Sequence, residues 1–135
     1  VAKGGNLLLN IAPSPEGEWD AGAYGLLKEI GDWMNINDEA IYGTKTMAPY
    51  KFGNVCVTTK SDGSLYLIYL VGEGQKSLPS TIEFPVIIPK NANATILGMK
   101  SSLQMKREKE MISIKLPLNL RSKLLGKPAF VIKIK

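Results

Sequence analysis

The chain contains no histidine, and that single absence removes much of the usual catalytic chemistry. Without imidazole there is no Ser-His or Cys-His nucleophile pair, no histidine general base and no imidazole metal ligand. Cys56 is the one cysteine, so an internal disulfide and a thiolate metal cluster are both excluded. Set in Val55-Cys56-Val57, it reads as a small buried apolar side chain. Any catalysis confined to this chain would run on carboxylates, lysines or tyrosines, and the sequence offers no evident set of them.

Long hydrophobic runs are missing as well. The longest, Leu65 to Val71, falls far short of the ~20 residues that cross a bilayer, so no membrane-spanning helix is predicted. The start of the chain lacks the basic and apolar regions of a signal peptide. Aromatic residues are few, and beyond Phe84 only Phe130 remains. That bears on the net charge of +5, whose lysines and arginines crowd the last third, from Lys100 to Lys135. A nucleic-acid face interleaves such residues with exposed aromatics or carries a known motif. Here the pattern reads as a solvated lysine-rich surface, with no nucleic-acid partner.

What is present is core material. Apolar residues make up 44% and charged residues 21% of the 135, the profile of a folded protein. Leu7, Leu8, Leu9 and Ile11 are apolar without alternation, which suits a strand covered on both faces inside a parallel sheet. Nothing else in the sequence supplies parallel neighbours, and the chain starts at Val1 without an initiator Met. The first third is therefore expected to be the last piece of a larger unit. Taken alone, the chain is expected to be catalytically inactive, and to self-associate or to be disordered before about residue 20.

Pro13, Pro15 and Gly17 place a loop over residues 13–19. Asp20 is a suitable N-cap for a helix running to about Asn35, with Leu26, Leu27, Ile30, Trp33 and Met34 on one face. That face is expected to pack against a sheet. Asn35-Ile36-Asn37-Asp38 ends the helix.

After Pro49 the pattern changes. Short segments rich in Val, Ile, Leu, Phe and Tyr are predicted as strands: 52–59, 64–71, 82–88, 94–99, 103–106, 111–116 and 129–135. Between them lie turn signals such as Ser61-Asp62-Gly63, Pro89-Lys90-Asn91, Pro117 and Gly126-Lys127-Pro128. Strands at this spacing argue for an antiparallel sandwich, and the division is drawn at 1–48 and 49–135.

These residues also carry a resemblance. Gly5-Asn6-Leu7-Leu8-Leu9-Asn10-Ile11-Ala12-Pro13, then Glu16-Gly17, Ile30-Gly31-Asp32-Trp33 and Asn37-Asp38-Glu39-Ala40-Ile41-Tyr42-Gly43-Thr44 resemble, in order, the end of the catalytic domain of the α-L-fucosidases of glycoside hydrolase family 29. Departures from the family pattern are Ala12 for Gly, Glu16 for Asp, Met34 for Leu and Asp38 for Gly. More loosely, Asp62 to Ile68, Ile96-Leu97-Gly98 and Pro128 to Ile134 resemble the family's C-terminal domain.

The resemblance implies a mainly β chain: a C-terminal antiparallel β-sandwich preceded by one strand-loop-helix unit left over from a (β/α)8-like barrel. It implies a parent enzyme that removes terminal α-L-fucose from glycans with retention, using an Asp nucleophile and a second carboxyl group as acid and base. Both lie on earlier strands, so no catalytic residue is carried onto this chain. The partners implied are a fucosylated glycan and the upstream barrel; neither a cofactor nor a metal is expected. Localisation is expected to be extracytoplasmic: periplasmic, secreted or lysosomal. The alternative is a non-catalytic carbohydrate-binding or interaction module.

Two residues are candidate substrate contacts, because barrel active sites sit at the C-terminal ends of the strands. Asn10, at the strand end, has an amide that could bond a sugar hydroxyl, although tying down a backbone loop is the commoner role. Trp19, in the following loop, could stack on a sugar face, although packing over the helix start is the commoner role. Glu16, Glu18 and Asp20 are read as loop solvation and helix capping. Trp33, Tyr42, Tyr66 and Tyr69 are read as core or interface. Asn93-Ala94-Thr95 fits a glycosylation sequon and is read as a chance match.

Overall fold

Alternation along the central strands sorts their side chains into two apolar layers. A computed structural model describes all residues, 1–135. Helix α1 (Ala21–Asn37) runs into a short 3₁₀ turn (Asp38–Ala40). Nine strands and a second short helix follow: β1 (Lys45–Phe52), β2 (Val55–Thr59), β3 (Leu65–Leu70), β4 (Thr81–Pro85), β5 (Ala94–Ile96), β6 (Ser102–Leu103), β7 (Met105–Glu108), β8 (Met111–Lys115), α2 (Leu118–Leu124) and β9 (Ala129–Ile134). Two antiparallel sheets result, one ordered β1-β2-β3-β9-β5-β6 and the other β4-β8-β7. The antiparallel sandwich expected from the sequence is present.

The main core lies between the sheets. Val55 and Val57 of β2, Leu65, Leu67 and Tyr69 of β3, and Phe130, Ile132 and Ile134 of β9 face Ile82, Phe84, Ile112 and Ile114 of the smaller sheet. Because side chains alternate along a strand, Tyr66, Ile68 and Val131 must point the other way. They form a second cluster with Ala40, against which Trp33 and Ile41 pack. The larger sheet is thus dry on both sides at its centre. β8 keeps the simpler pattern, with Ile112 and Ile114 buried and Lys115 exposed.

Several elements depart from expectation. The opening strand does not form: residues 5–14 belong to neither helix nor sheet, and Leu7 and Leu8 are 83% and 92% exposed. A strand exists only through its ladder, and no strand of either sheet pairs with this segment. The segment expected over 52–59 divides at Gly53-Asn54 into β1 and β2, and β1 begins at Lys45. Its register slips between Thr46 and Lys51, where Pro49 cannot donate to a ladder and Tyr50 adopts φ 49°. The segment expected over 103–106 breaks at Gln104, where the chain leaves the larger sheet and enters the smaller. Helix α2 was hidden among turn signals; its evidence was the i, i+4 pair Leu120 and Leu124, both buried. Tyr42 is 67% exposed and outside the core, whereas Tyr66 and Tyr69 are buried. Cys56 is half-buried, on the side of Ala40 and Tyr66.

Helix α1 matches its predicted start. The Asp20 carboxylate accepts from the Ala23 amide at 2.8 Å. Its apolar face is covered unevenly: Leu27, Trp33 and Met34 are half-buried, while Leu26 and Ile30 remain exposed. The helix end is seated by Ile36 over Gly98, where the backbone has φ +74° and an added Cβ would lie 2.6 Å from Ile36 Cγ2. Gly98→Ala should therefore cost at least about 1–2 kcal/mol from the left-handed backbone, plus the clash. Gly25→Ala, in open space on α1, should be stabilising by about 0.5–1 kcal/mol. Thermal denaturation of the two variants should move in opposite directions.

Candidate functional site

The loop before α1 holds itself in place. The Ser14 amide donates to the Glu18 carbonyl at 2.7 Å, and the Gly17 amide donates to the Ser14 carbonyl at 2.9 Å. Trp19 packs over the helix start against Tyr24, with ring centroids 5.6 Å apart and planes tilted by 54°. It is still 40% exposed. Asn10 is exposed within the extended segment and makes no side-chain hydrogen bond. Of the carboxylates at 16, 18 and 20, Asp20 is committed to the cap. No group of three or more Cys, Asp or Glu side chains converges as a metal site. Asn93 is exposed, and its backbone pairs both ways with Lys135.

A denser constellation lies where the 3₁₀ turn meets the larger sheet. Trp33 Nε1 donates to the Ala129 carbonyl at 2.9 Å. Thr58 Oγ1 donates to the Ala40 carbonyl at 2.7 Å, with both residues fully buried. Glu39 Oε2 accepts from Lys133 Nζ at 2.7 Å and from the Tyr66 hydroxyl at 3.1 Å. The ammonium groups of Lys60 and Lys133 stand 5.6 and 5.7 Å from the Tyr66 ring centroid. Sequence reasoning missed this joint because its members are 18 to 96 positions apart and no local spacing links them.

Charge and burial compete at Glu39. Burial alone would raise its carboxyl, but hydrogen bonds from Lys133 and Tyr66, with the charges of Lys133 and Lys60, bring it below its ordinary value. The Glu39 hydrogen bond raises Lys133, whereas burial and then Glu39 raise Tyr66. This is a structural clamp: one carboxylate oxygen of Glu39 holds both the Lys133 ammonium and the Tyr66 hydroxyl, tying the 3₁₀ turn to β3 and β9.

Beside the clamp, α1 diverges from the sheet and leaves an apolar groove of about 480 Å³. Leu26, Ile30 and Trp33 form one wall, and Ile68, Leu70 and Pro128 another.

With this geometry in view, the comparisons with known proteins are specific. The family model described as alpha-L-fucosidase matches residues 1–39. The alpha-L-fucosidase of Dictyostelium discoideum is 30% identical over 131 residues, covering 87% of this chain and 27% of that protein. Family model and relative alike are those of the α-L-fucosidases. The human tissue alpha-L-fucosidase is 33% identical over 106 residues, covering 77% of this chain and 22% of its own. Among solved structures, the Thermotoga maritima alpha-fucosidase in complex with a mechanism-based inhibitor superposes with a TM-score of 0.78 at 22% identity. It covers 99% of this chain and 31% of that one. A Bacteroides thetaiotaomicron family 29 α-L-fucosidase gives 0.78 at 22% identity, covering 100% and 29%. These two share the fold. The chain spans about a quarter of the length of these curated relatives.

The clamp makes two predictions. Thr58→Val preserves shape and leaves the buried Ala40 carbonyl without its partner, so it should destabilise by about 1–3 kcal/mol in chemical denaturation. Glu39→Gln should cost about 1 kcal/mol at neutral pH, given that the pair is only partly buried. The folded carboxyl titrates below its ordinary value of 4.5, so the Glu39 contribution is complete above that value and is lost as pH falls through the folded one. The stability gap between wild type and Glu39→Gln should therefore close in acid and persist at pH 7.

Proposed function

We propose that this chain is the C-terminal part of a retaining α-L-fucosidase that removes terminal α-L-fucose from glycans, and that its own role is scaffolding. One observation carries the reading: a single relative, the Dictyostelium alpha-L-fucosidase, aligns across 87% of the chain, through both the helix segment and the sandwich. The nucleophile and the acid/base carboxyl group then belong to an upstream (β/α)8-like barrel, of which residues 1–48 supply the terminal strand and helix and 49–135 the sandwich. β1 crosses that division, since Lys45 and Thr46 pair with Thr59 and Thr58. Asn10 and Trp19 are the chain's candidate sugar contacts, and extracytoplasmic localisation belongs to the same reading.

Two depressions of the sandwich differ as sugar sites: one beside the β1–β2 turn carries Phe52 and Tyr69, and the other offers no stacking platform. The depression on the smaller sheet is lined by Ser80, Thr81, Glu83, Gln104, Lys106, Glu108, Ser113 and Lys115, with no aromatic ring on which a sugar could stack.

The parent protein should hydrolyse an aryl α-L-fucoside with retention of configuration, followed by NMR of the released sugar. The 135-residue chain alone should be silent in the same assay. Cleavage of a different aryl glycoside by the parent, with the fucoside untouched, would sink the substrate assignment.

A further inference from the structure

The groove between α1 and the larger sheet leaves a contiguous set of apolar side chains open to water. Leu26 and Ile30 are 55% and 41% exposed, and Leu70, on the facing sheet, is 40% exposed. Glu29 is the only charged residue among its nine lining residues. Monomeric proteins seldom leave a contiguous apolar concavity open to water.

We propose that this groove seats an apolar segment of the parent polypeptide preceding Val1. The inference rests on the reading of the chain as part of a larger fucosidase, and adds the surface through which that larger body is held. Three observations choose this occupant. The relatives carry about three quarters of their length outside the region aligned here. The family model ends at residue 39, so α1 belongs to the body shared across fucosidases while its far end is clamped to the sandwich. Exposed large apolar residues also concentrate toward the start of the chain, where nine of the fifteen lie within residues 1–36. The groove continues the contact already made by Trp33, so an entering side chain would extend the layer formed by Ile68 and Val131.

The test compares one pair of substitutions in two settings. In the parent protein, Leu26→Asp should lower the thermal midpoint by about 4 °C or more, because a carboxylate would be forced into a dry interface. Ile30→Ala, which adds no charge, should lower it by a smaller amount and keeps the test readable if the aspartate variant fails to fold. In the 135-residue chain both changes should cost clearly less, since Leu26 and Ile30 are about half exposed there. Equal losses in both settings would show the groove filled by this chain's own residues and would overturn the proposal. So would an unchanged parent, or a 135-residue dimer that Leu26→Asp dissociates while the parent is unaffected. Fucoside hydrolysis by the wild-type parent is read separately, so a wrong substrate assignment does not imitate a wrong docking surface.

Discussion

β3 is apolar on both faces, and the rest of the molecule is arranged around the need to cover it twice. Leu65, Leu67 and Tyr69 are covered by the smaller sheet across the main core. Tyr66 and Ile68 lie on the opposite face and are covered by the turn at Ala40 and by the end of α1. The second cover is thin, one 3₁₀ turn and one helix end, and it is held by directed bonds where apolar area is short. The Thr58 hydroxyl fixes the Ala40 carbonyl, and Glu39 bridges Lys133 and Tyr66. A conventional sandwich leaves its outer faces wet. Here one outer face is converted into an interior, which ties the helix to the sheet and joins the two parts of the chain into one body.

Local chemistry made the helix and the sandwich legible. Asp20 signalled the helix start through a capping preference that depends on nothing distant. Ile112 and Ile114 against Ser113 and Lys115 announced a strand with one wet face. The β1–β2 hairpin was not legible, because Gly53-Asn54 is a short interruption in an apolar stretch and Pro49 argues against a strand that survives only as a bulged edge. The joint could not be read at all. Glu39, Tyr66 and Lys133 are unremarkable singly, and their meaning appears once β3 and β9 are paired.

The segment from Leu7 to Ile11 shows how sequence pattern and structure can both be right while disagreeing. Its unbroken apolar run has the composition of a strand buried on both faces. Its backbone makes no hydrogen bond to the rest of the chain, and neither sheet takes it as a strand. Composition states what surroundings a segment suits; a fold forms them only from the chain at hand.

The edges of the two sheets have a further consequence. β1 is bulged and contains Pro49, β6 is two residues long, β4 ends in Pro85, and β7 carries Lys106 and Arg107. Each is a poor template for another chain. Residues 5–13 are the opposite: bare amides and carbonyls under three consecutive leucines. That nonapeptide therefore offers a passing strand the unpaired backbone that the sheet edges withhold.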